Sequence, residues 1–140
     1  MTSVLTACLL ASCQLPHGRI WIASTSTPGT VLIRVSDGRG GPLSDVQHVI
    51  VDGGPLIPQT GTHLRSYLWY VATRPGRDVA LDSIRYGQVP PGMVGTTPVP
   101  SLLPGNYWVT VKARGAGQGM STTFTVMPDE RVVGDTTTYP

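Results

Sequence analysis

The residues able to do chemistry in this chain are few. Two thiols, Cys8 and Cys13, fall within the first thirteen residues and no cysteine follows. His48 lies in Asp45-Val46-Gln47-His48-Val49-Ile50-Val51-Asp52, where strand alternation puts His48 and Asp52 on one face at a spacing of four. Two ligands could begin a metal site, but compact strand sites use a spacing of two and no third ligand is close. His17 stands beside Cys13, and His63 follows Gly61-Thr62 in a loop with no local partner. The sole glutamate, Glu130, is in a polar tail, which excludes a Glu-based acid/base pair. No Gly-x-Ser-x-Gly elbow, His-Glu-x-x-His helix, phosphate-cradling glycine loop or zinc-spaced cysteine pair occurs. An enzyme built on His48 and aspartates is the weakest of three readings, and no metal or cofactor is expected.

The thiols have a better use. Ser3 to Ser12 form an uncharged, mostly apolar run, too short to span a bilayer as a helix, which needs about 20 residues. It suits the apolar core of a secretory signal closed by small residues. Leu10-Ala11-Ser12-Cys13 resembles the lipobox of bacterial lipoproteins. The resemblance implies a signal peptide over residues 1–12, cleavage between Ser12 and Cys13, and a lipid on the Cys13 thiol. Gln14, in place of an inner-membrane aspartate, implies the periplasmic face of the outer membrane. Leu5-Thr6-Ala7-Cys8 is a second candidate box, and the alternative to both is an apolar first strand holding two buried thiols. With Cys13 acylated and Cys8 removed, no stray thiol remains in an oxidising envelope compartment. Residues 13–18 then form a linker. The five residues from Gln14 to Gly18 reach about 17 Å when extended, so the body stays close to the bilayer.

The chain from Cys13 to Pro140 suits a single domain with its own core. Charged residues are only 13% against 40% apolar, which argues against disorder, and one Glu with one Lys cannot clothe long exposed helices. A net charge of +2 is too weak for nucleic acid. Six basic residues between Arg65 and Arg114 face only Asp78 and Asp82, a candidate anionic-partner patch or a scatter of strand-end charges.

No helical period survives, and breakers interrupt the chain about every ten residues, the pattern of an all-β sandwich or barrel. The expected strands, about seven and antiparallel, are Arg19–Ser24, Thr30–Ser36, Asp45–Val51, Ser66–Ala72, Val79–Tyr86, Tyr107–Ala113 and Ser121–Met127. Val31, Ile33 and Val35 share a core face, as do Tyr107, Val109, Val111 and Ala113, which leaves Trp108 outside. Residues 19–127 make the domain, and residues 128–140 read as a polar, frayed tail.

Val35-Ser36-Asp37-Gly38-Arg39-Gly40-Gly41-Pro42-Leu43-Ser44-Asp45-Val46 is similar to the opening of transthyretin-like and carboxypeptidase-regulatory-like domains. Leu102-Leu103-Pro104-Gly105-Asn106-Tyr107-Trp108-Val109-Thr110-Val111 looks like their closing strand. Ile84 to Met93 resembles a segment of small bacterial lipoproteins of unknown function. These resemblances imply a seven-stranded immunoglobulin-like or transthyretin-like sandwich and no activity.

Two segments are candidates for contact. In Gly87–Gly105, nine of nineteen residues are Gly or Pro, yet Val89, Met93 and Leu102 are apolar. Such a segment either covers a sheet edge or docks against a partner, with Tyr86, Pro90, Pro91 and Met93 as contact residues. Tyr67-Leu68-Trp69-Tyr70 must expose part of its aromatic surface, so Tyr67, Trp69 and Trp108 join the candidate surface. The first reading is therefore a lipid-anchored envelope protein that is a non-catalytic interaction or structural module. Its partners are the membrane and another envelope protein. The second is a carbohydrate- or peptidoglycan-binding domain using exposed aromatics.

Overall fold

Alternating β-branched and aromatic residues punctuated by Gly and Pro give strands, and no helix occurs among the described residues. The computed structural model describes residues 18–23, 25–54, 67–96, 99–114 and 119–139. They form ten strands: β1 (Gly18–Ala23), β2 (Leu32–Asp37), β3 (Val46–Gly54), β4 (Tyr67–Thr73), β5 (Ser83–Arg85), β6 (Met93–Gly95), β7 (Gly105–Ala113), β8 (Met120–Val126), β9 (Val132–Gly134) and β10 (Thr136–Tyr139). The smaller sheet has the order β10-β1-β2-β5 and the larger β6-β4-β3-β7-β8-β9, every pairing antiparallel. The fold is an all-β sandwich.

The core faces follow the alternation. Ile20, Ile33, Val35 and Ile84 from the smaller sheet meet Val49, Val51, Trp69, Val71, Val109, Val111 and Phe124 from the larger. Tyr107 stacks on Phe124 at 5.2 Å between centroids. Its hydroxyl donates to the Leu103 carbonyl at 2.5 Å, which ties the start of β7 to the corner before it. The Asp37 turn is equally local: one carboxylate oxygen accepts from the amides of Arg39 and Gly41, each at 2.8 Å.

Two expectations are corrected. The strand expected at Val79–Tyr86 is regular only over Ser83–Arg85. Before it the chain crosses between the sheets, and its backbone pairs with isolated residues: the Val46 amide with the Val79 carbonyl, and Leu43 with Leu81 in both directions. The tail expected to fray instead pairs with both sheets. β9 extends the larger sheet beside β8, and β10 extends the smaller beside β1. A turn at Pro128–Arg131 reverses the chain after β8, with Glu130 at φ 65° and the Met127 amide donating to the Arg131 carbonyl. Val132, Val133 and the Thr136–Thr138 run are β-formers, and two open strand edges offer them unpaired backbone. β1 also begins one residue earlier than expected, at Gly18.

Gly134 sits where the tail passes from one sheet toward the other. A Cβ there would lie 2.3 Å from the Cβ of Ile22, which is anchored to its own backbone and cannot yield. Gly134→Ala is therefore expected to lower stability by about 1–3 kcal/mol, as overpacking does. Urea unfolding measures it, and an unchanged midpoint would mean that the tail does not close the sandwich.

Candidate functional site

The outer face of a sandwich sheet normally reads polar. On the larger sheet of this protein three large aromatics interrupt the polar residues. In β4 a bulge lets Asp52 of β3 pair with Tyr67 while Val51 pairs with Trp69, skipping Leu68. The skip separates two residues that strict alternation puts on one face. Trp69 turns inward and is 0% exposed, whereas Tyr67 and Tyr70 both turn outward, 61% and 40% exposed. Across β3, Trp108 of β7 pairs with Asp52 and is 50% exposed.

The ladders then fix rows of outward side chains. One row runs Tyr67, Asp52, Trp108, Thr123, and the next Tyr70, Ile50, Thr110, Ser121. Tyr67 and Trp108 are two strand spacings apart, roughly 10 Å. Polar pairs frame the aromatics: the Thr125 hydroxyl donates to Asn106 Oδ1 at 2.8 Å, the Thr123 hydroxyl donates to Asp135 Oδ2 at 2.6 Å, and the Thr110 and Ser121 hydroxyls lie 2.9 Å apart. Gly53 permits the close approach beneath Trp108, since it adopts φ 106° and a Cβ there would meet the Asn106 carbonyl oxygen at 2.6 Å.

The remaining candidates separate. Met93 is buried at the start of β6 and Trp69 fills the core, so neither can contact a partner. Tyr86 is half-buried, packs edge-on against Trp69 at 5.3 Å, and donates its hydroxyl to the Pro100 carbonyl at 2.7 Å. Burial, with the nearby Tyr107 hydroxyl second, pushes the Tyr86 pKa up to about 12. Tyr86 is thus a clamp on the Gly/Pro-rich segment. That segment covers an edge: β6 pairs with β4, and Val99 and Leu102 pack on the core. Pro90 is half-buried and Pro91 exposed in the turn that the Met93 amide closes onto the Pro90 carbonyl. Ser12, Cys13, His17 and His63 lie outside the described residues.

His48 and Asp52 do share the outer face, but four residues of strand place them roughly 13 Å apart. No group of three metal-ligating side chains occurs among the described residues. His48 faces Lys112 and the Tyr70 ring, the latter at 5.8 Å between centroids. Burial, then the Lys112 charge, lowers its pKa from 6.5. The basic middle of the sequence does not form one patch either. Arg74, Arg77 and Arg114 gather around a depression of about 200 Å³ that Asp45 and Asp78 also line, while Arg85 lies on the smaller sheet.

Sequence alternation left Tyr70 and Asp52 out of the candidate surface because, without the bulge, Tyr67 and Trp69 share one face and Tyr70 takes the other. The signal was the Asp52-Gly53-Gly54 end of β3, where a strand is prone to irregularity.

Two outcomes follow. A histidine whose folded pKa is depressed adds stability that is present above the unfolded pKa and lost as pH falls through the folded value. The thermal midpoint should therefore drop from pH about 7.5 to pH about 5 more in the native chain than in His48→Gln, and equal drops would remove this role. Tyr86→Phe should cost about 1 kcal/mol in urea unfolding and speed proteolysis within residues 87–104. Compared with known proteins, the chain matches no family model, no curated protein and no solved structure, so its role is argued from this face.

Proposed function

We propose that this protein is a lipid-anchored component of a bacterial cell envelope, tethered through Cys13 after cleavage at Ser12–Cys13. It acts as a non-catalytic interaction or structural module near the membrane, at the periplasmic face of the outer membrane. The observation that carries the module reading is the outward aromatic group, Tyr67, Tyr70 and Trp108, on adjacent rows of one sheet face. Large aromatics left in water on a flat sheet have their surface still to bury, and aromatic anchors dominate interface energetics. The lipobox-like Leu10-Ala11-Ser12-Cys13 supports the address.

The strand order supports an immunoglobulin-like kinship. β1-β2-β5 corresponds to A-B-E of that fold and β8-β7-β3-β4 to G-F-C-C′. The Tyr107–Leu103 hydrogen bond at the start of β7 takes the place of its tyrosine corner.

One observation favours the second reading, a glycan ligand. Asp52 stands between Tyr67 and Trp108 in one row, so a carboxylate acceptor lies between two rings able to stack on sugar faces. Soluble peptidoglycan fragments should then quench Trp emission in the native chain and less in Trp108→Phe. A photo-crosslinker at position 108 that captures a protein in envelope preparations, without quenching by glycans, selects the first reading.

Intact mass of the membrane fraction tests the tether. The expected species begins at residue 13 and carries acyl mass, and Cys13→Ser abolishes both. A membrane-bound species that retains residues 1–12 would overturn the lipoprotein reading.

A further inference from the structure

The outward positions of the smaller sheet carry a different chemistry from those of the larger. Arg19 and Trp21 lie on β1, Arg34 on β2 and Arg85 on β5. Trp21 pairs with Arg34, and Leu32 pairs with Arg85, while the alternate positions Ile20, Ile33 and Ile84 are buried. All four therefore point away from the core on one face. The Arg19 guanidinium sits 4.7 Å from the Trp21 ring centroid and that of Arg34 5.8 Å, so one indole carries two cations.

Among the described residues nothing on that face neutralises them. The outward positions of β1, β2, β5 and β10 include no Asp or Glu. Among the described residues no carboxylate forms an ion pair with the three arginines. The acids that adjoin β2 and β5 in sequence are spent or displaced: Asp37 accepts from its own turn, and Asp82 precedes the β5 ladder. Arg34 Nε is buried without a hydrogen-bond partner among the described residues.

We infer that this face docks on an anionic phospholipid surface. The inference rests on the Cys13 tether. From an acylated Cys13, a chain reaching at most about 17 Å leads directly into β1, the strand that bears Arg19 and Trp21. The basic face is thereby kept within one or two Debye lengths of the headgroups. Arginines supply attraction to anionic lipid, and a tryptophan settles at the level of the headgroups. Charge sign, indole and tether length point to the same occupant.

The test uses the mature chain from position 13 with Cys13→Ser, which keeps every described strand and removes any acyl contribution. It is sedimented with vesicles of phosphatidylcholine alone or mixed equally with phosphatidylglycerol. Binding is expected only to the mixed vesicles and should weaken as salt rises. Each of Arg19→Gln, Arg34→Gln and Arg85→Gln should weaken it about fivefold. Brominated phosphatidylglycerol should quench Trp21 in a Trp108→Phe background, where the other remaining indole, Trp69, is in the core. Arg19→Gln with Arg85→Gln, both at exposed positions, repeats the test without disturbing the half-buried Arg34. Equal binding to neutral vesicles, or unaltered binding by the double variant, overturns the inference. Failure of the tether is read separately, as missing acyl mass on the native protein.

Discussion

The register of β3 controls the rest of the molecule. It runs through the middle of the larger sheet with β4 on one side and β7 on the other, so its pairing decides which side chains of three strands enter the core. Because strand side chains alternate with a period of two, a one-residue slip would exchange the two faces completely. The skip at Leu68 makes that exchange locally and only on β4. It keeps Trp69 in the core beside Val71, against Tyr86, while turning Tyr67 outward beside Asp52. The same bulge therefore leaves the largest side chain available in the interior and assembles the exposed aromatic rows. Losing the indole would cost about 3–5 kcal/mol, as aromatic truncation in a core does.

A second constraint is the fate of the edges. An open sandwich leaves four strand edges with unpaired backbone, which are templates for unwanted pairing. Here the additions at those edges are short. β6 and β9 flank the larger sheet with three residues each, and β5 and β10 flank the smaller with three and four. The Gly/Pro-rich stretch that carries β6 is held by two tyrosine hydroxyls, Tyr86 on the Pro100 carbonyl and Tyr107 on the Leu103 carbonyl. A segment with many prolines has few amides to donate, so fixing it by accepting at its carbonyls is the available route.

Much of this was legible from residue order. The core faces of β2 and β7 follow from Val31-Leu32-Ile33-Arg34-Val35 and Tyr107 to Ala113, where apolar and polar residues alternate without interruption. The tail was not legible, because Thr136-Thr137-Thr138 is polar in composition yet β-branched in shape. Whether such a run frays or pairs depends on an edge lying near it in space, which composition cannot encode. The exposed aromatics were half legible. Trp108 follows from alternation, whereas the outward turn of Tyr67, two residues before the buried Trp69, needs a bulge that no period reveals. The basic face escaped notice because Arg19, Arg34 and Arg85 are far apart in sequence and meet only through the β1–β2 and β2–β5 ladders.

The two outer faces are separated by the sandwich core, about 10 Å between sheets, and they look in opposite directions. They also differ in kind. The smaller sheet offers arginines around one indole, suited to a diffuse negative surface and sensitive to salt. The larger offers Tyr67, Tyr70 and Trp108 with one lysine and the aspartates Asp52 and Asp135 beside them, suited to a shaped partner that must match ring positions. Surfaces that point apart do not compete for space, so both can be occupied at once. In the proposed lipoprotein the tether would enter at β1, in the smaller sheet, and would hold that sheet next to the bilayer with the aromatic rows turned outward. On that proposal the shortness of the tether would itself orient the body, since a longer linker would let it tumble and present either face to any neighbour.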